Sequence, residues 1–173
     1  MWPIVQSCLL VLVAFIFQAT VVPHMAVSGA KPDIVIIITA LYGFTYGPQI
    51  GTVAGFFGGL LGDLLSGSHV GIGLISKSIV GFFAGLVKRA IFVENMLLTM
   101  LAIFIATCIN QFIYVGFMFL LGETTPIKVL VTGIVLPSAT YNAILAPFVY
   151  MMLRRFMVFK QEAPVVRIAK KYD

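Results

Sequence analysis

Five polar side chains fall inside long apolar runs and are the residues able to do chemistry: Asp63, Lys77, Asn110, Gln111 and Asn142. An ammonium or carboxylate at membrane depth pairs, lines a polar cavity or reaches an interface. Asp63 lies four residues after Gly59, and Lys77 lies midway between Gly73 and Gly81. Both therefore extend a series of small residues that faces helix rather than lipid, and the spacing predicts that they are coupled. Asn110 and Gln111 sit mid-run, and Asn142 lies between Pro137 and Pro147. Amides in such places bond across helices; a ligand pocket at the bundle centre is the alternative.

Catalytic chemistry has little to build on. Asp63, Ser66 and His69 would have to converge within one turn, so they read as a polar helix end. The chain has no H-E-x-x-H, G-x-S-x-G or P-loop pattern. Cys8 and Cys108 lack a C-x-x-C or ligand spacing and read as small packing residues, and His24 and His69 are isolated. A non-catalytic protein without metal or cofactor is expected.

The elements that hold these residues follow from composition. The chain has 173 residues, 61% hydrophobic and 10% charged, against roughly 45–50% and about 25% in soluble domains. So few charges cannot solvate a domain of this size, so the solvent is lipid. Charged residues leave long gaps: before Lys31, from Asp33 to Asp63, from Glu94 to Glu123 and from Lys128 to Arg154. A spanning helix needs roughly 20 apolar residues, and the alternating segments of a membrane barrel are missing.

The fold expected is an all-α integral membrane bundle of six helices. The first runs from Ile4 to Val22 and, lacking a basic start, reads as a retained helix rather than a secretory signal. Gly47 and Pro48 divide the next stretch into spans near Asp33–Tyr46 and Gln49–Leu65; a single tilted helix there would give five spans. The rest are Val70–Val87, Met96–Leu121 and Ile127–Leu153, the last with Pro137 and Pro147 inside it. Residues 1–153 form the membrane domain and 154–173 a basic tail. Arg154, Arg155, Lys160, Arg167, Lys170 and Lys171 in the tail and Lys88 and Arg89 fall on one face, which places both termini in the cytoplasm. The tail reads as an anchor on anionic lipid. Without a recognition module, the net charge of +5 does not point to nucleic acid.

Glycines recur at four-residue steps, Gly51, Gly55 and Gly59 on the third span and Gly73, Gly81 and Gly85 on the fourth. Such spacing lets helices approach closely where lipid supplies no hydrophobic drive. Gly62 and its neighbours widen the narrow face of span three, which implies contact with more than one helix.

Lys31-Pro32-Asp33, Gly47, Gly51, Gly55-Phe56, the run Gly59-Leu60-Leu61-Gly62-Asp63-Leu64-Leu65-Ser66-Gly67 and Gly71-Ile72-Gly73 resemble the MreD family of bacterial rod shape-determining proteins. The resemblance implies a non-catalytic inner-membrane subunit of the cell-elongation machinery. Such a subunit binds the single-pass protein MreC and, through it, is linked to the MreB filament and to the glycosyltransferase and transpeptidase of lateral-wall peptidoglycan. On this reading the narrow glycine faces receive the partner's membrane helix. The architecture is also similar to the substrate-binding subunits of energy-coupling-factor vitamin transporters. Their small-x-x-x-small pattern in the first span is not matched here, where Leu9 to Gln18 offers only Ala14 on the relevant face.

Overall fold

The computed structural model describes residues 2–25, 31–67, 70–87, 95–122 and 126–155. The expectations placed on Ser68, His69, Lys88, Arg89 and the tail beyond Arg155 lie outside these residues, as does the His24 side chain.

Every regular element among the described residues is helical. The order is α1 (Trp2–Thr20), a short 3-10 turn (Val22–Met25), α2 (Ile34–Tyr46), α3 (Pro48–Ser66), α4 (Ile72–Leu86), α5 (Met96–Leu120), α6 (Ile127–Leu130), a π-helical turn (Val131–Val135) and α7 (Leu136–Leu153). Three stretches are long and apolar enough to cross a membrane: Pro3–Thr20, Met96–Leu120 and Lys128–Leu153. Ile34–Tyr46 and Ile72–Leu86 are apolar but shorter.

The chain breaks between α2 and α3 as the Gly47-Pro48 pair predicts. Gly47 turns with φ 101°, a conformation that suits a residue without Cβ, and donates its N–H to the Gly43 carbonyl at 2.8 Å. Pro48 then sits in the first turn of α3, where its missing N–H costs nothing. The last helix carries its own irregularity. Pro137 has no N–H to return to the preceding turn, and just before it the ladder widens, with the Leu136 N–H reaching back five residues to the Val131 carbonyl.

α2 is the centre of the bundle. All ten residues from Val35 to Phe44 are buried, on every side of the helix, as expected of a helix apolar all round. It packs against α1, α3, α4, α5 and α7. The outer faces of the other helices carry large apolar side chains in the open, among them Val13, Leu97, Leu120 and Phe148. Lipid solvates such a surface at no cost, whereas water would not.

α3 and α4 pack antiparallel along a seam almost free of side chains. Gly51 lies opposite Gly81, Gly55 opposite Lys77 and Ser78, Gly59 opposite Gly73 and Leu74, and Gly85 opposite Pro48. At Gly51, Gly55, Gly59, Gly81 and Gly85 an added Cβ would overlap the facing backbone, and at Gly73 it would overlap the Asp63 side chain. Gly58, on another side of α3, meets Val35 of α2 and Val11 of α1. α3 thus has narrow contacts toward three helices.

This seam yields a stability prediction. Gly55→Ala pushes a methyl into the Lys77 carbonyl, and overpacking of this kind costs about 1–3 kcal/mol. Gly116→Ala, where a Cβ meets nothing within 4 Å, should leave stability within about 0.5 kcal/mol. Unfolding midpoints of the two variants in detergent will separate them.

Candidate functional site

The buried polar groups converge where α2 begins. Asp33 caps that helix: its Oδ1 accepts from the Ile36 N–H at 3.1 Å, as an N-cap carboxylate should. Its Oδ2 accepts from Lys77 Nζ of α4 at 2.6 Å. Its own N–H donates to Asn142 Oδ1 of α7 at 2.8 Å. Asn142 is fully buried, and its Nδ2 donates to Thr107 Oγ1 of α5 at 3.2 Å. Thr107 passes its hydroxyl hydrogen to the Ile103 carbonyl at 2.9 Å. From α1, Gln18 Oε1 accepts the Val35 N–H at 3.2 Å, and the same side chain hydrogen-bonds the Asp33 carboxylate. One aspartate therefore ties together α1, α2, α4, α5 and α7.

Depth makes this layer consequential. With 13 residues, α2 is about 20 Å long at 1.5 Å per residue, shorter than a bilayer core of about 30 Å. The side chains of Lys77 and Asp33 are largely withdrawn from the surface, at 13% and 24% exposure. The ion pair is a solution to that placement, because each charge removes the other's need for water.

Asp63 has a different job. Its Oδ2 accepts from the N–H groups of Gly71 and Leu74 at 2.8 and 3.0 Å, and its Oδ1 from Gly73 N–H at 3.1 Å. α4 starts on Gly71, which has no side chain to cap it; the preceding helix supplies the cap. A carboxylate at a helix N-terminus also meets the positive end of the helix dipole. Gly73 is needed for this approach, since a Cβ there would strike Asp63 Oδ1. Ser66 and Gly67 close the end of α3 by donating to the Asp63 carbonyl at 3.1 and 3.2 Å. The run from Gly59 to Gly73 is thus a capped helical hairpin.

Two expectations change. Lys77 pairs with Asp33, 44 positions away, and not with Asp63, whose oxygens are taken by three backbone N–H groups. The narrow faces of Gly51, Gly55, Gly59, Gly81 and Gly85 are filled by α3 and α4 themselves, leaving no space there for a helix from another protein; of the glycines singled out, Gly62 alone meets nothing within 4 Å. Asn142 joins the polar layer, whereas Asn110 is buried on α5 with its Oδ1 unpartnered. Gln111 lines a separate groove with Tyr114, Met118 and Ile134. Asp33, Gln18 and Thr107 were not singled out from sequence. The signal for Asp33 was present, a Pro-Asp pair before an uninterrupted apolar run, but its partners come from three other helices. No group of three or more His, Cys, Asp or Glu able to hold a metal occurs among the described residues.

Comparison with known proteins gives one match. The profile of the family described as rod shape-determining protein MreD matches residues 2–160. No curated protein and no solved structure matches the chain.

The polar layer predicts a specific coupling. In a double-mutant cycle with Asp33→Asn, which keeps a capping side chain, and Lys77→Gln, the interaction should be about 1 kcal/mol or more, while Asp63→Asn with Lys77→Gln should be additive within about 0.5 kcal/mol. Asn142→Leu leaves the Asp33 N–H without its acceptor, while Thr107 keeps its bond to the Ile103 carbonyl, and should cost about 1–3 kcal/mol. Unfolding midpoints in detergent measure all of these.

Proposed function

Because this chain belongs to the MreD family of rod shape-determining membrane proteins, we propose that it is a non-catalytic scaffold subunit of the bacterial cell-elongation complex. It binds the single-pass protein MreC and through it supports the MreB filament and the glycosyltransferase and transpeptidase that build lateral peptidoglycan. The observation that carries this reading is the family match over residues 2–160. On the same reading the bundle crosses the inner membrane six times, residues 1–153 lie in the membrane and residues 154–173 form a basic cytoplasmic tail.

With the glycine seam closed, the partner's helix needs another seat. The lipid-facing surface between α4 and α5 holds an apolar groove of about 410 Å³, with Phe44 of α2 among the residues lining it and Ala84, Ala102 and Ala106 along its sides. Small residues on two neighbouring helices let a third approach them closely, which is the geometry that favours association in lipid. Ile105 and Phe83 line the same groove and give an incoming helix side chains to interlock with.

Filling the groove tests the proposal. Ala106→Phe, at a core residue that lines the groove, should reduce co-purification of MreC from native membranes several-fold when compared at equal amounts of folded chain, and Gly133→Leu, on an open face, should not. Unchanged capture of MreC by Ala106→Phe removes the groove as its seat; no capture even by the unaltered chain removes the scaffold reading.

A further inference from the structure

A second cavity, of about 180 Å³, opens between α1, α3, α4 and α5 beside the polar layer. Gln18, Asp63, Lys77 and Tyr114 line it, with Phe15 as an apolar wall and the bare Gly62 on the α3 side. It is empty of side chains for a structural reason. The α3–α4 seam requires glycine at 59 and 73, and at 62 a Cβ would meet nothing within 4 Å. A single water needs about 10–15 Å³ on this measure, so the space holds considerably more than one.

The lining selects a kind of ligand. A lysine ammonium has three N–H donors, and Lys77 gives one to Asp33. The acceptors are more fully used: Asp63 receives three backbone N–H groups and Gln18 Oε1 receives the Val35 N–H. Hydrogen-bond donors are therefore in surplus, and an occupant must bring oxygen acceptors. An anion would face the Asp63 carboxylate of the lining while the Lys77 charge is already balanced by Asp33, and a cation would compete with Lys77. Phe15 offers an apolar face for a carbon skeleton.

We propose that this cavity is a binding site for a small, uncharged, hydroxyl-rich group, with Lys77 as its main hydrogen-bond donor. Such chemistry is carried by a sugar headgroup on a membrane lipid or by a soluble sugar. The site does not depend on the scaffold reading, because it is complete within this one chain.

Labelling of a cysteine at the cavity wall provides the test. The full-length chain carrying Cys8→Ser, Cys108→Ser and Gly62→Cys is reconstituted in phosphatidylcholine vesicles and treated with a charged methanethiosulfonate reagent. Expected are measurable modification of Gly62→Cys and a several-fold slowing by either monoglucosyl diacylglycerol in the bilayer or glucose in the buffer. Whichever probe slows it identifies the source. Protection should disappear with Lys77→Gln and weaken with Tyr114→Phe, a milder change that leaves the ion pair intact. Three outcomes overturn the proposal: no modification of Gly62→Cys, equal rates with and without both probes, or protection that survives both Lys77→Gln and Tyr114→Phe. Slowing of a Gly133→Cys control to the same extent does so too.

Discussion

The backbone-to-backbone approach of α3 and α4 is the constraint on which the rest of this bundle depends. In lipid, apolar side chains gain nothing by leaving their solvent, so helices hold together through close contact and hydrogen bonds. Gly51, Gly55, Gly59, Gly81 and Gly85 remove every side chain that would separate the two axes. The same closeness brings Asp63 within reach of the first turn of α4 and sets Lys77 against Gly55 through its backbone. With its main chain fixed there, Lys77 has Asp33 within range of its ammonium.

The second constraint is the polar start of a central helix that other helices surround. α2 has its first N–H groups and the Asp33 carboxylate inside the bundle, where unpartnered groups cost several kcal/mol each. The structure answers with side chains from α1, α4 and α7, namely Gln18, Lys77 and Asn142, with Thr107 of α5 steadying Asn142. Thr39 Oγ1, the Tyr42 hydroxyl and Asn110 Oδ1 are the buried side-chain atoms left without partners among the described residues. Two of the three are on α2 itself.

Helix limits were legible in the sequence because they depend on local chemistry. Gly47-Pro48 ends one helix and begins the next, and Gly67 takes a left-handed conformation with φ 63° at the end of α3. The glycine spacing also disclosed which faces are narrow. Partner choice was not legible, because spacing along one helix says which residues share a face and nothing about what lies opposite. Asp63 and Lys77 share helices that touch, yet each is engaged elsewhere, by backbone N–H groups in one case and by a residue 44 positions away in the other. The widened turn before Pro137 has a local cause, but a proline in a membrane helix is compatible with a kink, a bulge or a straight helix.

Assigning the glycine-rich run to the interior changes what family resemblance means for function. The residues that carry it, from Gly59 through Asp63 to Gly73, cap and close a hairpin. Those residues hold the fold, and every outer surface depends on the fold they hold. Ala84, Ala102 and Ala106, which line the outer groove, are themselves buried in the core, so their small size already serves the packing of α4 and α5 within this chain.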